Sequence, residues 1–468
     1  MAACESVPGF MAQMQNLGGV VVPEQPRLDL DLYIENYEGR TRLERLLHIG
    51  KSSVPLCVDA LKAASKEAKA GQDVSMYKEA WDAIRFAAPN DPDAVRDEEW
   101  IDRTTRTNKT ETARLEMELK GYKNNLIKES IRMGNEDLGK HFLQIGALNE
   151  AAEAFGRMRH DVTTAKQIID CGLHLINVSI HRSDWNLVLS NVGKISGFQP
   201  PDDDGINVQP YVRVASGLAL LGLGSFHDAA KHFLGTNLAT STRSLREIAS
   251  PHDVAVYGGL LALATMERSE LQKRVLDNTS FKFALEQEPH IRKAVSLFVN
   301  GRYSACLETL EAFRPDYLLD IHLCKHVPTL FSRVRSKCIK QYFAPFSCVT
   351  LANLETAFAR PGESLEDELV GMIKTQALKA RIDSKARLLV AVQPDPRSIM
   401  QKSALEVAAK YEREAKERLR RMSLVAAGLE THAPKQSGNR IAATEVDLND
   451  GMASDEVMTM PQVITGQS

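Results

Sequence analysis

The stretch LGKHFLQIGALNEAAEAF, Leu138 to Phe155, decides how the rest of this 468-residue chain reads. It sets Leu138, Gly139, Phe142, Gly146, Ala151 and Phe155 at intervals that suit two helices joined by a glycine turn. Small residues fall where the helices approach, and rings fall where a gap needs filling. Sliding the sequence along itself by 78 residues superposes Gly217 on Gly139, Gly224 on Gly146, Phe226 on Leu148, Ala229 on Ala151 and Phe233 on Phe155. The unit therefore recurs. Ser183-Asp-Trp185 and Gly301-Arg-Tyr303 repeat its turn in weaker form, a small residue followed two positions later by a large ring.

This spacing fits the tetratricopeptide template of Leu-Gly-x2-aromatic followed by Ala-x3-Phe. The turns at 146, 183 and 224 lie 37 and 41 residues apart, against about 34 in a strict repeat. A helical hairpin cannot bury its apolar face alone, so such hairpins stack. The expected fold is mainly α: a tetratricopeptide-like helical-repeat solenoid over residues 28–222, then a second domain over 223–393. Composition agrees, because aromatics are only 6% while Ala, Leu, Lys and Glu recur at helical spacing.

The second domain ends in the outline of a winged helix over about 330–393. Leu330–Tyr342 and Thr350–Phe358 read as short helices. Ser364, with Asp367 three residues on, reads as the N-cap of a helix carrying Leu365, Leu369, Met372 and Ile373. Leu378, Ala380 and Ile382 then alternate with charged residues, and Leu388 to Val392 is a continuous apolar run containing Val390, so two strands are expected. Beyond Pro394 and Pro396 a long helix occupies the region 394–430. Its stripe of Val407, Tyr411, Leu419, Met422, Val425 and Leu429, together with Met400, Ala404 and Ala415, shares one face. Residues 1–27, rich in Gly, Pro and Gln, and the polar tail 431–468 are expected to be disordered.

A winged helix either grips DNA or joins proteins. A DNA-reading helix presents Arg, Lys, Asn or Gln to base edges and phosphates, whereas Ser364–Lys374 carries Glu366, Asp367 and Glu368 against Lys374 alone. Net charge is −3, so no global positive field recruits phosphate backbones. Lys379, Arg381, Lys385 and Arg387 could at most position a backbone, so nucleic acid is an unlikely partner. A small sheet does offer an edge whose backbone groups can extend a neighbour's sheet. The reading is a protein joint, with Leu378, Ala380, Ile382, Leu388 and Val390 as its candidate residues and the C-terminal stripe as a second surface.

Local signals for catalysis are absent. No Gly-x4-Gly-Lys-Ser/Thr, His-Glu-x-x-His or Gly-x-Ser-x-Gly occurs. Gly222-Leu-Gly224 lacks the third glycine and the strand of a dinucleotide site, so it reads as packing. His322-x-Cys324-x-His326 puts Cys324 off the face the histidines share, which suits a half-buried helix rather than zinc. Seven scattered cysteines without a Cys-x-x-Cys pair argue for a reducing compartment. The basic run Lys416–Arg421 is interleaved with Glu412, Glu414 and Glu417 and reads as a solvated helix face. No export signal is read at the start, and the longest apolar run, Val254–Thr265, is far short of the roughly 20 residues a membrane-spanning helix needs. No catalytic residue, metal or cofactor is assigned, and no membrane.

Helical hairpins running into a winged helix and a long terminal helix resemble the PCI-domain subunits of the proteasome lid, the COP-nine signalosome and translation initiation factor three. Several segments resemble the signalosome's subunit-one family: LDLDLYIENYEGRTRLERLLHI (28–49), LKGYKNNLIKESIRMGNEDLGKHFLQIGALNEAAEAFGRMRH (119–160), VAVYGGLLALATMERSELQKRVL (254–276), FVNGRYSACLETLE (298–311) and YLLDIHLCKHVPTLFSRVRSKCIKQYFAPFS (317–347). The resemblance covers about Leu28 to Leu429. It implies that 223–393 is a PCI domain and that the protein is a non-catalytic scaffold in a complex that removes a ubiquitin-like modifier from cullins. The metalloprotease centre would lie in a different subunit. It further implies edge-to-edge pairing of winged-helix sheets with other PCI subunits, especially subunits two and three, and a C-terminal helix bundle shared with the metalloprotease-containing pair. Cullin-RING ligases are implied as partners through the complex, in cytoplasm and nucleus.

Overall fold

Gly146, Ser183, Gly224 and Gly301 all adopt left-handed backbone, with φ of +84°, +56°, +79° and +77°. At each turn two N–H groups fold back onto the preceding helix. Gly146 donates to Leu143 and Ala147 to Phe142; Ser183 to Ile180 and Asp184 to Ser179; Gly224 to Leu221 and Ser225 to Leu220; Gly301 to Phe298 and Arg302 to Leu297. These paired bonds satisfy carbonyls that a helix end leaves orphaned. One physical device is thus used four times, and glycine suits it because it takes positive φ without a Cβ penalty.

The computed structural model describes residues 3–197, 208–238, 245–358, 364–392 and 396–429. An N-terminal group comprises α1 (Ala3–Asn16), α2 (Leu30–Ile34), α3 (Gly39–Ser52), α4 (Cys57–Ala70) and α5 (Val74–Ala87). The array follows: α6 (Glu98–Asn125), α7 (Lys128–Ile145), α8 (Leu148–Met158), α9 (Ala165–His181), α10 (Trp185–Ser196), α11 (Gln209–Gly222) and α12 (Phe226–Leu234). Then come α13 (Pro251–Thr265), α14 (Arg268–Leu271), α15 (Thr279–Gln287), α16 (Pro289–Val299), α17 (Tyr303–Glu311), α18 (Arg314–Leu318) and α19 (Val327–Phe343). The last segment of this unit is β1 (Cys348–Thr350), α20 (Leu351–Phe358), α21 (Leu365–Lys374), β2 (Ala380–Asp383) and β3 (Leu388–Ala391). The chain divides into two units, Met1–Val392 and Gln393–Ser468, and the described helix of the second is α22 (Pro396–Ala426).

The self-similarity seen in the sequence is a packing contact made twice. A Cβ on Gly139 of α7 would lie 2.6 Å from the Phe155 ring of α8, and one on Gly217 of α11 would lie 2.7 Å from the Phe233 ring of α12. Only a residue without a side chain lets the ring lie flat against the opposing backbone. Ala151, Phe155, Ala229 and Phe233 are fully buried, and Phe142 packs half-buried beside Phe155. Leu115 and Leu119 of α6 are buried, whereas Leu126, which continues their helical spacing, caps the helix and is 82% exposed.

α13 contains the whole apolar run Val254–Thr265 and is buried on nearly every side, against α12, α15, α16 and α19. A helix apolar all round belongs inside. Ser250 and Asp253 form a reciprocal capping box at its start. At its other end Lys337 of α19 donates to the carbonyls of Leu263 and Met266.

Two expectations are corrected. Residues 1–27 are not wholly disordered: α1 buries Val7, Phe10 and Met11 with α3 and α5, and Val22 bridges to Ser53. Val7, Phe10, Met11 and Met14 follow helical spacing, a signal masked by the surrounding Gly and Pro. The expected division at 222/223 falls inside the α11–α12 hairpin, and one apolar core continues from Ile169 of α9 to Leu389 of β3 without a break there. The tail expected over 431–468 lies outside the described residues.

Candidate assembly surfaces

The wing is held by its own chemistry before it can present anything. Ser364 caps α21, its hydroxyl accepting from the Asp367 N–H at 3.4 Å. Arg335 of α19, 5% exposed, donates from Nε to both carboxylate oxygens of Glu368 at 2.9 Å and from Nη2 to the Phe358 carbonyl at 2.7 Å. One guanidinium therefore fixes α19, α20 and α21 together. Arg387 pairs with Glu355 and Glu366. Two of the carboxylates that set this helix against DNA are thereby engaged within the chain.

The sheet has three strands in the order β1-β3-β2, all antiparallel. The sequence reading found β2 and β3 but took the start of β1 for a connection, because a three-residue strand carries too little periodicity to register. β3 lies in the middle, with Val390 opposite both Cys348 and Arg381, and Leu389 opposite both Val349 and Ile382.

Burial corrects the candidate list. Leu378 and Ala380 are 4% and 5% exposed and belong to the core, as does Leu389, which the list omitted. Ile382 is half-buried against the same core, Leu388 is half-buried, and Val390 is 39% exposed on the outer face. Leu388 and Val390, being on the central strand, have no free backbone edge. Among the described residues the free edges are those of β1 and β2. Val392 N–H donates to Lys379 O beside the Ala380–Ala391 pair, so antiparallel alternation turns the N–H and C=O of Ala380 and Ile382 away from β3. β2 forms where the sequence places it, and its outer edge carries backbone groups rather than apolar side chains.

In α22 the predicted stripe is exposed throughout: Val407 63%, Tyr411 74%, Leu419 63%, Met422 67%, Val425 54%, and beyond its end Leu429 67%. Lys416 pairs with Glu412 and Arg421 with Glu417, each at 2.5 Å, which supports the helix surface only weakly.

Sequence reasoning missed a buried cluster around Arg45 of α3. This guanidinium, 1% exposed, meets Asp253 of α13 at 2.9 Å, Asp320 at 2.7 Å, Tyr33 at 2.5 Å and Tyr257 at 3.2 Å. Tyr37 donates to Asp253 at 2.8 Å and Tyr257 to Asp320 at 2.7 Å. Burial raises the Asp253 carboxyl above its usual range. The same burial opposes ionisation of Asp320, but Arg45, His322 and the Tyr257 hydroxyl overcome it and hold Asp320 at about 2. The available signal was an arginine in helical register with the buried positions Thr41 and Ile49. Of the metal-like trio, His322 meets the edges of Trp185 and Tyr257, and His326 meets Phe226. Among the described residues no group of His, Cys, Asp and Glu is arranged to hold a metal ion, and no helix is long and apolar enough to cross a membrane.

Residues 97–274 match the family model of 26S proteasome subunit RPN7, and residues 310–392 match the PCI domain. The chain is 45% identical over 451 residues to COP9 signalosome complex subunit 1 of Neurospora crassa, covering 96% of this chain and 98% of that protein. It is 46% identical to the same-named protein of Emericella nidulans, with 88% and 84% coverage, and 35% identical to that of Arabidopsis thaliana, with 90% and 96% coverage.

Proposed function

Because this chain belongs to the COP9 signalosome complex subunit 1 family, we propose that it is a non-catalytic scaffold of that complex and that it works by joining neighbours through two surfaces. The free edge of β2 extends the winged-helix sheet of an adjacent PCI subunit, and α22 enters a bundle with helices of other subunits. Subunits two and three are the proposed neighbours at the wing, and the metalloprotease-containing pair shares the bundle. The assembled complex removes a ubiquitin-like modifier from cullin-RING ligases, with the isopeptidase centre in another subunit, in cytoplasm and nucleus.

The observation that carries this reading is the exposed stripe of α22 and its continuation at Leu429, six large apolar side chains each more than half accessible. Water-exposed apolar area of that extent marks an interaction surface. A lid-subunit reading is supported by the RPN7 match, but the corresponding yeast protein is 22% identical over 55% of this chain, against 45% over nearly all of it for the signalosome relative. The test is purification of the native complex through this chain, with its mass and composition. Signalosome subunits and cullins support the reading, proteasomal ATPases replace it with the lid, and a solitary monomer ends it.

A further inference from the structure

The tip of the α6–α7 hairpin differs from the four turns described above in its left-handed residue. Its left-handed position, φ +55°, is filled by Leu126 rather than glycine or serine, and the side chain is 82% exposed. The Leu126 N–H returns to Lys123 O at 3.2 Å. Ile127, 55% exposed, then stands at the N-cap of α7 with no side-chain cap bond, and Lys128 follows at the first helical position. Ala147, Ser225 and Arg302 also start helices without a side-chain cap, and Glu129 supplies the acidic residue of the first turn, so what sets this tip apart is an exposed left-handed leucine followed by an exposed isoleucine.

The surrounding charge leans positive: among the described residues three lysines stand near the tip against one exposed, unpaired carboxylate, Glu116, a turn before Lys120. Lys120, Lys123 and Lys128 are exposed, and among the described residues none lies within ion-pairing distance of a carboxylate, whereas nearby Glu118 and Glu129 are engaged by Arg114 and Arg132. Tyr122 adds a ring 36% exposed beside them. Stability alone selects glycine at 126 and a hydroxyl or carboxamide at 127. A strained backbone that holds two aliphatic side chains in water, ringed by unneutralised cations, points to a partner.

We propose that this tip is a docking knuckle for an acidic amphipathic helix of another protein, distinct from the wing and from α22. The partner's aliphatic face covers Leu126, Ile127 and Tyr122, and its flanking carboxylates meet Lys120, Lys123 and Lys128. Charge complementarity selects this occupant. A second copy of the chain brings like charges together, which opposes pairing, and two aliphatic residues are far less than the apolar face of a membrane-surface helix.

The test uses the full chain and a labelled synthetic helix of about 20 residues, with Leu on one face and Glu elsewhere, followed by fluorescence anisotropy. Binding is expected, weakening as salt rises. Leu126→Gly is expected to cut affinity by about tenfold or more while the melting temperature holds or rises, since glycine takes the left-handed backbone without strain. Ile127→Ser separately lowers affinity with the fold intact. The proposal is overturned if the Leu/Glu helix fails to bind, if a Leu/Lys helix binds equally, or if Leu126→Gly binds as the native chain does. Association with phosphatidylserine vesicles alone, or a Leu126→Gly loss that accompanies a drop in melting temperature, overturns it as well.

Discussion

Arg45 and Asp320 stand 275 residues apart in the chain and 2.7 Å apart in space. With Asp253 they lock the N-terminal helices onto α13 and the segment after α18. Removing one member of such a buried cluster leaves the others charged and unpaired.

Arg45→Met is therefore expected to destabilise the chain by about 3–5 kcal/mol, measured by urea unfolding. Restoring neutrality with Asp253→Asn and Asp320→Asn in the same chain should recover a substantial part. Equal stability of Arg45→Met and the native chain would show that the cluster contributes nothing.

Gly139→Ala should cost about 1–3 kcal/mol, because its methyl must displace the Phe155 ring. Combining it with Phe155→Leu should cost less than the sum of the separate losses. Gly217→Ala with Phe233→Leu provides an independent repetition, read by thermal melts.

Ile382→Pro should separate edge pairing from folding. Its N–H faces away from β3, so proline there blocks a visiting strand while leaving the β2–β3 ladder in place. Arg381→Pro removes a ladder bond to Val390 and should lower the melting temperature instead. The check is co-purification of neighbouring subunits beside a melt of each variant; a wing-dependent assembly untouched by Ile382→Pro excludes β2 as the joint.

Leu419→Glu with Met422→Glu should leave helicity and melting temperature unchanged and release the chain from the native complex. Both side chains are more than 60% exposed, so the folded unit loses little burial. Size-exclusion chromatography of the purified assembly reports the outcome, and normal incorporation rules out the bundle.

Burial holds His322 at about 4, against an ordinary value of 6.5, with Asp320 opposing and Arg45 reinforcing the shift. The unfolded chain then binds a proton below pH 6.5 that the folded chain refuses until near pH 4. Stability should fall through that window as pH drops, by as much as roughly 3 kcal/mol. His322→Gln should flatten this part of the pH profile of unfolding.

Four of the hairpins were legible in the sequence because their turns carry a small residue at a left-handed position, and two of the helix pairs leave a gap for a ring. Gly139, Phe155, Gly217 and Phe233 record the second of these features locally. β1 was missed because Cys348–Thr350 becomes a strand only through its pairing with β3, a long-range contact with no local period. Ala380 and Val390 were assigned to one surface on their apolar character, yet strand alternation sends one into the core and the other outward. Arg45 was missed for a related reason: the carboxylates that neutralise it lie more than 200 residues away. Tests of the assembly candidates therefore bear on exposed backbone and helix surface, where local pattern says least.

The distance along the chain between Arg45 and Asp320 also sets a schedule. At a synthesis rate of about 5–20 residues per second, roughly 15–55 s pass between their emergence from the ribosome. Throughout that interval the N-terminal helices lack their final anchor and carry a cation meant for a dry site. Rare codons between Arg45 and Asp320, which lengthen that interval, should therefore lower the yield of folded chain more than those placed after Asp320.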